Sequence, residues 1–224
     1  MVKFHPTESM LHQFVSGELA PALSLVLATH IDMCPVCQQS VRELESELAQ
    51  SYLSRSGETN SPVLDNASMK TMLDAIVHSE PPAPEKKVVK SELVLDGKEF
   101  HLPRPLARQA ENIGHWSKLP GNLWKASIDV ADEGQLSFIY MAENSTVPEH
   151  THKGHEATVV VNGVFEDEFN TYRDGDFIYL DADRQHTPVT TNEDCLTLAW
   201  LDKPLHFTSG IARLLNPFSS LFFR

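Results

Sequence analysis

Cysteine is scarce in this chain, with three residues among 224. That count excludes a small secreted fold stapled by disulfides. Long apolar runs are missing too: the longest nearly apolar stretch, LAPALSLVLATHI, has 13 residues, against the roughly 20 that a helix needs to cross a bilayer. The opening MVKFHPTESM lacks the basic-then-apolar order of a secretory signal. The expectation is a cytoplasmic protein with reduced thiols and no membrane contact. Basic residues are few, 18 Lys and Arg against 31 Asp and Glu, a formal charge of −13. A phosphate backbone wants a basic footprint, so the charge disfavours direct nucleic-acid binding and suits a basic protein partner. Neither G-x-G-x-x-G nor G-x-x-x-x-G-K-[ST] occurs, so nucleotide chemistry has no support. What is present, 41 % hydrophobic residues, fits one large domain or two small ones with a buried core.

Two of the three cysteines fall in THIDMCPVC as H-x3-C-x2-C: His30, Cys34 and Cys37. Cys-x2-Cys lets two thiolates converge on one tetrahedral ion, with zinc the expected metal. The competing readings are a redox dithiol and plain burial of small hydrophobic side chains. A dithiol switch needs neither His30 nor the other histidines nearby.

Residues 7 to 79 read as helical. Thr7 and Glu8 open a first helix carrying Leu11, Phe14 and Val15, and Pro21 starts a second. In the second, Leu23, Val26, Leu27 and His30 share one face. Pro35 starts a third, on which Cys37, Val41, Leu44 and Leu48 are aligned. Each ligand candidate sits where an apolar stripe meets the turn, so a metal there locks two helices over a core too small to be secure unaided. A fourth helix is expected over 65 to 80, capped by Asp65 or Asn66, after a flexible SRSGETNSPV. EPPAPEKK, residues 80 to 87, marks a boundary. The organisation expected is a helical unit at 1–80, a Pro-rich linker at 81–90, a β unit at 91–202 and a tail at 203–224.

Beyond the boundary the period shifts toward two. Strands are expected at 91–95, 125–130, 136–142, 157–161, 164–169, 177–180 and 195–200, with turns at Asp96-Gly97, Asn162-Gly163 and Asp174-Gly175. Asn162-Gly163 between VVV and VFE predicts a hairpin. Many short strands with glycine turns predict a closed barrel or sandwich. PEHTHKGHEATVVVNG carries His150, His152 and Glu156, and His186 follows in DADRQHTPV. Histidines two apart on a strand face one way. Three imidazoles and a carboxylate suit Zn, Fe, Mn or Ni, while His155 reads as an ordinary exposed histidine. Cys195 in DCLTLAW reads as core, with a redox reporter as the alternative, and Trp116 and Trp124 as packing residues; the apolar tail GIARLLNPFSSLFFR reads by default as a cover for the barrel, with contact to the helical unit or self-association as alternatives.

The second half resembles a cupin, a double-stranded β-helix barrel. The first cupin motif, G-x5-H-x-H-x3,4-E-x6-G, is matched from His150 to Gly163, with Asn144 at the leading glycine. The second keeps Gly175 and His186 but has Asp181 and Asp183 where proline and glycine are usual. The resemblance implies His150, His152, Glu156 and His186 as ligands of zinc or another divalent transition metal. The first half resembles the zinc-binding anti-sigma domain, which implies His5 as the upstream partner of His30, Cys34 and Cys37; His12 is the rival. The order of the two halves resembles the ChrR family of anti-sigma factors. It implies an all-α zinc domain that sequesters an extracytoplasmic-function (group IV) sigma factor, and a cupin half needed for the response to singlet oxygen or related oxidants. The alternatives are a cupin metalloenzyme, oxygenase or isomerase, with Tyr140, Tyr179 or Glu149 as acid or base, and a metal store.

Overall fold

The computed structural model describes residues 1–55, 67–81, 91–95, 97–131, 134–210, 213 and 216. The expected links 54–63 and 81–90 lie mostly outside them, α3 extending through Arg55 into the first, and so do the caps Asp65 and Asn66, Asp96 of the first turn and most of the tail. Helices come first: α1 (Glu8–Ser16), α2 (Pro21–Met33), α3 (Pro35–Arg55) and α4 (Ala67–Val77). The Thr7 hydroxyl caps α1 by accepting from the Met10 N–H at 3.3 Å, and Gly17, at φ 71°, closes it in the left-handed conformation. Pro21 and Pro35 open α2 and α3, where a helix needs no N–H.

Strands follow, all paired antiparallel: β1 (Glu92–Leu95), β2 (Lys98–His101), β3 (Ser117–Leu119), β4 (Leu123–Ile128), β5 (Gln135–Met141), β6 (His150–His152), β7 (Glu156–Glu166), β8 (Thr171–Arg173), β9 (Phe177–Leu180), β10 (Gln185–His186), β11 (Cys195–Leu201) and β12 (Leu205–Phe207). A short α5 (Arg104–Ala107) lies between β2 and β3. The main sheet runs β3-β4-β5-β11-β7-β8, with β9 also on β7; β10-β6-β12 and β1-β2 form separate sheets. The closed barrel expected from the sequence is therefore not seen among the described residues. Strands of two and three residues in the smaller sheet carry too short a ladder to join it to the larger one.

The expected hairpin at Asn162-Gly163 is also corrected. β7 runs straight through both residues, and its pairing with β11 shifts register there: Leu196 meets Asn162, while Thr197 meets Val160. Val161 is the extra residue of a β-bulge. Gly163 has φ 92°, and a Cβ on it would lie 2.0 Å from the Asp194 carbonyl oxygen. Both the bulge and a turn demand a residue free to take positive φ, so the same Asn-Gly signal serves either.

α2 is buried on most of its surface, through Ala22, Leu23, Val26, Leu27, Thr29 and His30. Its apolar side chains share one core with Val159, Val161, Phe177 and Leu196 of the main sheet. At its C-terminal end Asp32 accepts from the Arg104 backbone N–H at 2.9 Å and pairs with the same guanidinium. Trp116 and Trp124 pack against this core, and Cys195 is fully buried in a second one with Val160, Phe165 and Tyr172. α4 instead lies largely exposed, with Met69 half-buried and Met72, Leu73, Ile76 and Val77 exposed. Among the described residues no single helix is long and apolar enough to cross a membrane.

Candidate metal centres

His30 closes α2 on its buried face. The chain then breaks at Cys34, which is extended, and restarts at Pro35, so Cys34 and Cys37 fold back onto the imidazole. His30 Nε2 lies 3.2 Å from Cys37 Sγ, and His5 Nδ1 lies 3.4 Å from the sulfurs of both Cys34 and Cys37. One ligand atom from each of the four falls within 4.8 Å of the others. Zinc–sulfur and zinc–nitrogen bonds of ordinary length, set tetrahedrally, hold their ligand atoms about 3.5 Å apart, close to the spacing found. His12 lies exposed on α1, outside this group.

His5 is held from the β region. The buried Asp176 carboxylate accepts from the Lys3 and Phe4 N–H groups at 2.6 and 3.0 Å and from Arg173 N–H at 2.9 Å. Phe177 N–H donates to the Phe4 carbonyl at 3.0 Å, and Phe4 packs on Tyr172 with ring centroids 5.0 Å apart. His30 is fixed from the same turn: its Nδ1–H donates to the Gly175 carbonyl at 2.6 Å. That bond sets the tautomer and turns the Nε2 lone pair toward the cysteines. Gly175 has φ 85°, and a Cβ there would meet Val2 at 2.8 Å. The β8–β9 turn thus orients two of the four groups.

Burial lowers the His30 pKa to about 4, so the imidazole stays neutral and free to ligate. Burial and the adjacent Cys34 push the Cys37 thiol up to about 12. A redox dithiol needs the opposite, a thiolate stabilised near neutral pH. Two converging sulfurs in this setting become thiolates when a cation neutralises them.

The second cluster is built on β6 and the strands beside it. His150 and His152 both point inward from β6, and His186 on β10 pairs directly with His150. His150 Nδ1–H donates to the Pro148 carbonyl at 2.8 Å, and His186 Nδ1 faces the buried Asp167 carboxylate at 3.3 Å. Both Nε2 atoms are thereby left facing inward, 3.0 Å apart. His152 Nε2 is 2.9 Å from Glu156 Oε2, and neither of its ring nitrogens makes a hydrogen bond among the described residues. Buried polar atoms of this kind need a partner, and a cation meets the need of all four. Ligands about 2.1 Å from a metal and at right angles lie about 3.0 Å apart. Both spacings suit donors gathered round one divalent ion.

Burial, together with the charge of His186, lowers His150 to about 4. Burial opposes ionisation of Glu156, but His152 and the other two imidazoles outweigh it and hold the carboxyl well below its usual range. Thr158 adds a hydroxyl donor to Glu156 at 2.6 Å. Asn144, at the position of the missing motif glycine, has φ 55° and so supplies the left-handed turn without glycine. His155 pairs with Asp202 and stacks on Tyr179, apart from the cluster. Asp167 and Asp176, which orient ligands in the two clusters, went unnoticed in the sequence. Their role comes from contacts between strands and carries no local spacing.

Residues 111–205 match a family described as the ChrR cupin-like domain. Over 222 residues the chain is 29 % identical to the anti-sigma-E factor ChrR of Cereibacter sphaeroides, covering 97 % of this chain and 98 % of that one. It also superposes on a chain from the crystal structure of Rhodobacter sphaeroides SigE in complex with the anti-sigma ChrR. That match has a TM-score of 0.70 and 26 % identity, over 90 % of this chain and 100 % of the other. The chain is thus homologous to ChrR-type anti-sigma factors, with a cupin-like domain after its helices.

Proposed function

We propose that the chain is an anti-sigma factor that binds and sequesters an extracytoplasmic-function (group IV) sigma factor, acting on transcription without touching DNA. α4 carries this reading. Met69, Met72, Leu73, Ile76 and Val77 form one stripe at helical spacing, yet Ile76 is 61 % and Val77 68 % exposed. The distal end of α3 likewise exposes Tyr52 and Leu53. Exposed stripes of this kind mark a binding surface, and a helical partner fits a helical stripe. The charge of −13 favours basic partner helices and speeds their encounter. The complex that holds a similar chain together with SigE supplies the partner class.

His5, His30, Cys34 and Cys37 hold a structural zinc that keeps α2 and α3 in the shape the partner recognises. His150, His152, Glu156 and His186 hold zinc or another divalent transition metal in the cupin-like domain. That unit answers singlet oxygen or related oxidants and passes the change to the helices through the Arg173–Asp176 turn. Units 1–80 and 91–202, joined by the linker 81–90 and followed by the tail 203–224, divide these tasks in a cytoplasmic protein with no direct nucleic-acid or membrane contact. The main role is non-catalytic. A metalloenzyme, oxygenase or isomerase, is the second reading, favoured by the cavity beside His150, Glu156 and His186; none of Tyr140, Tyr179 and Glu149 lines that cavity.

A reporter on a promoter dependent on the sigma factor tests the proposal. Wild-type chain should silence it and release it on oxidant. His150→Ala with Glu156→Ala should silence it equally and fail to release it. Normal release by a double variant shown to lack the second metal contradicts the sensing role, and absence of silencing by the wild type contradicts sequestration.

A further inference from the structure

The β region encloses a cavity of about 200 Å³ between the main sheet and the β10-β6-β12 sheet. The histidine–glutamate cluster occupies one side of it. From the other side β5 presents Gln135, Ser137, Ile139 and Met141, residues two apart that share one face of the strand. Ser137 is 4 % exposed, and neither its hydroxyl nor the Gln135 side-chain oxygen has a hydrogen-bond partner among the described residues. Other polar groups of this wall are engaged. Thr158 donates to Glu156, Thr197 donates to the Ile139 carbonyl, and Lys125 has a partner of its own. Buried polar atoms aimed into an apolar cavity point to a ligand that satisfies them.

Those two atoms define its chemistry. The Gln135 oxygen only accepts, so the ligand must bring a donor; the Ser137 hydroxyl donates or accepts. A neutral hydroxyl answers both, donating to Gln135 and accepting from Ser137. It suits the glutamine amide turned end for end as well, since it then accepts from the nitrogen. A carboxylate brings no donor, and an ammonium carries an unpaired charge into an apolar space. Gln135 stands across Leu201 from Glu156, two strand spacings or about 10 Å at the backbone, so this anchoring point is separate from the cluster. Beyond Ser137 the wall turns apolar. Ile139 and Met141 continue the face of β5, Leu123 pairs with Met141, and Phe165 and Phe207 line the same space.

We propose that this cavity binds an uncharged aliphatic alcohol of about seven non-hydrogen atoms, the number that fills it at a liquid's share of roughly 30 Å³ apiece. Its hydroxyl bridges Gln135 and Ser137, and its chain lies along Ile139 and Met141. The ligand adds a small-molecule input to the sensing role proposed for this region, and rests on that reading for its purpose. Calorimetric titration of the full, metal-loaded chain with hexan-1-ol, without any sigma factor, tests binding by itself, so a failure here leaves sequestration untouched. Saturable binding of one hexan-1-ol per chain is expected. Methyl pentyl ether, equal in size but without a donor, should bind about tenfold more weakly, because it leaves the Gln135 oxygen buried and unpaired. Ser137→Ala and Gln135→Met should each weaken hexan-1-ol binding about fivefold, the worth of a neutral hydrogen bond, with unchanged melting temperatures. Gln135→Met should also abolish the preference for the alcohol over the ether. Lack of saturation by hexan-1-ol at millimolar concentration overturns the proposal and leaves water as the partner of both groups. Equal binding of the ether by the wild type overturns it as well. Affinity that survives both substitutions but vanishes on removing the metal places the hydroxyl on the cluster, and overturns it too.

Discussion

His5 and His12 are the same residue type within one N-terminal stretch, and only His5 meets the cysteines, because Asp176 holds the backbone beside it. Cys34→Ser and Cys37→Ser are each expected to remove one zinc per chain by elemental analysis, while His12→Ala keeps it; zinc retained at the wild-type level in both cysteine variants would contradict the assignment. Protonation gives a second test at this scale. His30 and His150 are both lowered from 6.5 to about 4, first by burial. The unfolded chain therefore takes up their protons before the folded one. Their stabilising effect is complete above pH 6.5 and is lost as pH falls toward 4, by roughly 3 kcal/mol per histidine. Urea titrations of metal-stripped protein between pH 7 and 4 should show that decline, with His150→Asn removing about half of it. A flat profile would mean that neither imidazole is held neutral by the fold.

The β8–β9 turn ties the helical and β regions together at the first candidate metal cluster. Asp176→Ala leaves three N–H groups without their acceptor. It should lower first-site metal affinity by about 10–100-fold in chelator competition and spare the second site; equal loss at both would indicate general unfolding. At this scale the sequence was partly legible. Helix starts at Thr7, Pro21 and Pro35 follow from capping chemistry; the pairs Cys34–Cys37 and His150–His152 are visible as local spacings, whereas His5 and His186 enter the candidate sets only through the family resemblance. β6, β10 and β12 were not legible as strands, because two or three residues are too few to display a period. Asn162-Gly163 was misread because positive φ announces a bulge and a turn alike. The stripe on α2 announced burial but not its partner, since apolar periodicity does not say which surface covers it.

Across the whole molecule, α2 shares its core with the main sheet, so the helical region is not insulated from events in the β region. Among the described residues α4 contributes nothing to that core, and its Met72, Leu73, Ile76 and Val77 are exposed. The proposed route from the second cluster to His30 and α2 runs through Arg173–Asp176, and the proposed partner surface lies on α3 and α4. Coupling of this kind requires two states that differ in partner affinity. The account stands or falls on whether that surface grips a sigma factor. Titration of a purified extracytoplasmic-function sigma factor with the full chain, against Met72→Glu combined with Ile76→Glu, measures this most directly. Wild type should form a 1:1 complex. The double variant should bind about 100-fold or more weakly, as expected for two central apolar anchors, with unchanged circular dichroism and metal content. Equal affinity of the two proteins, or no complex with either, would contradict the account.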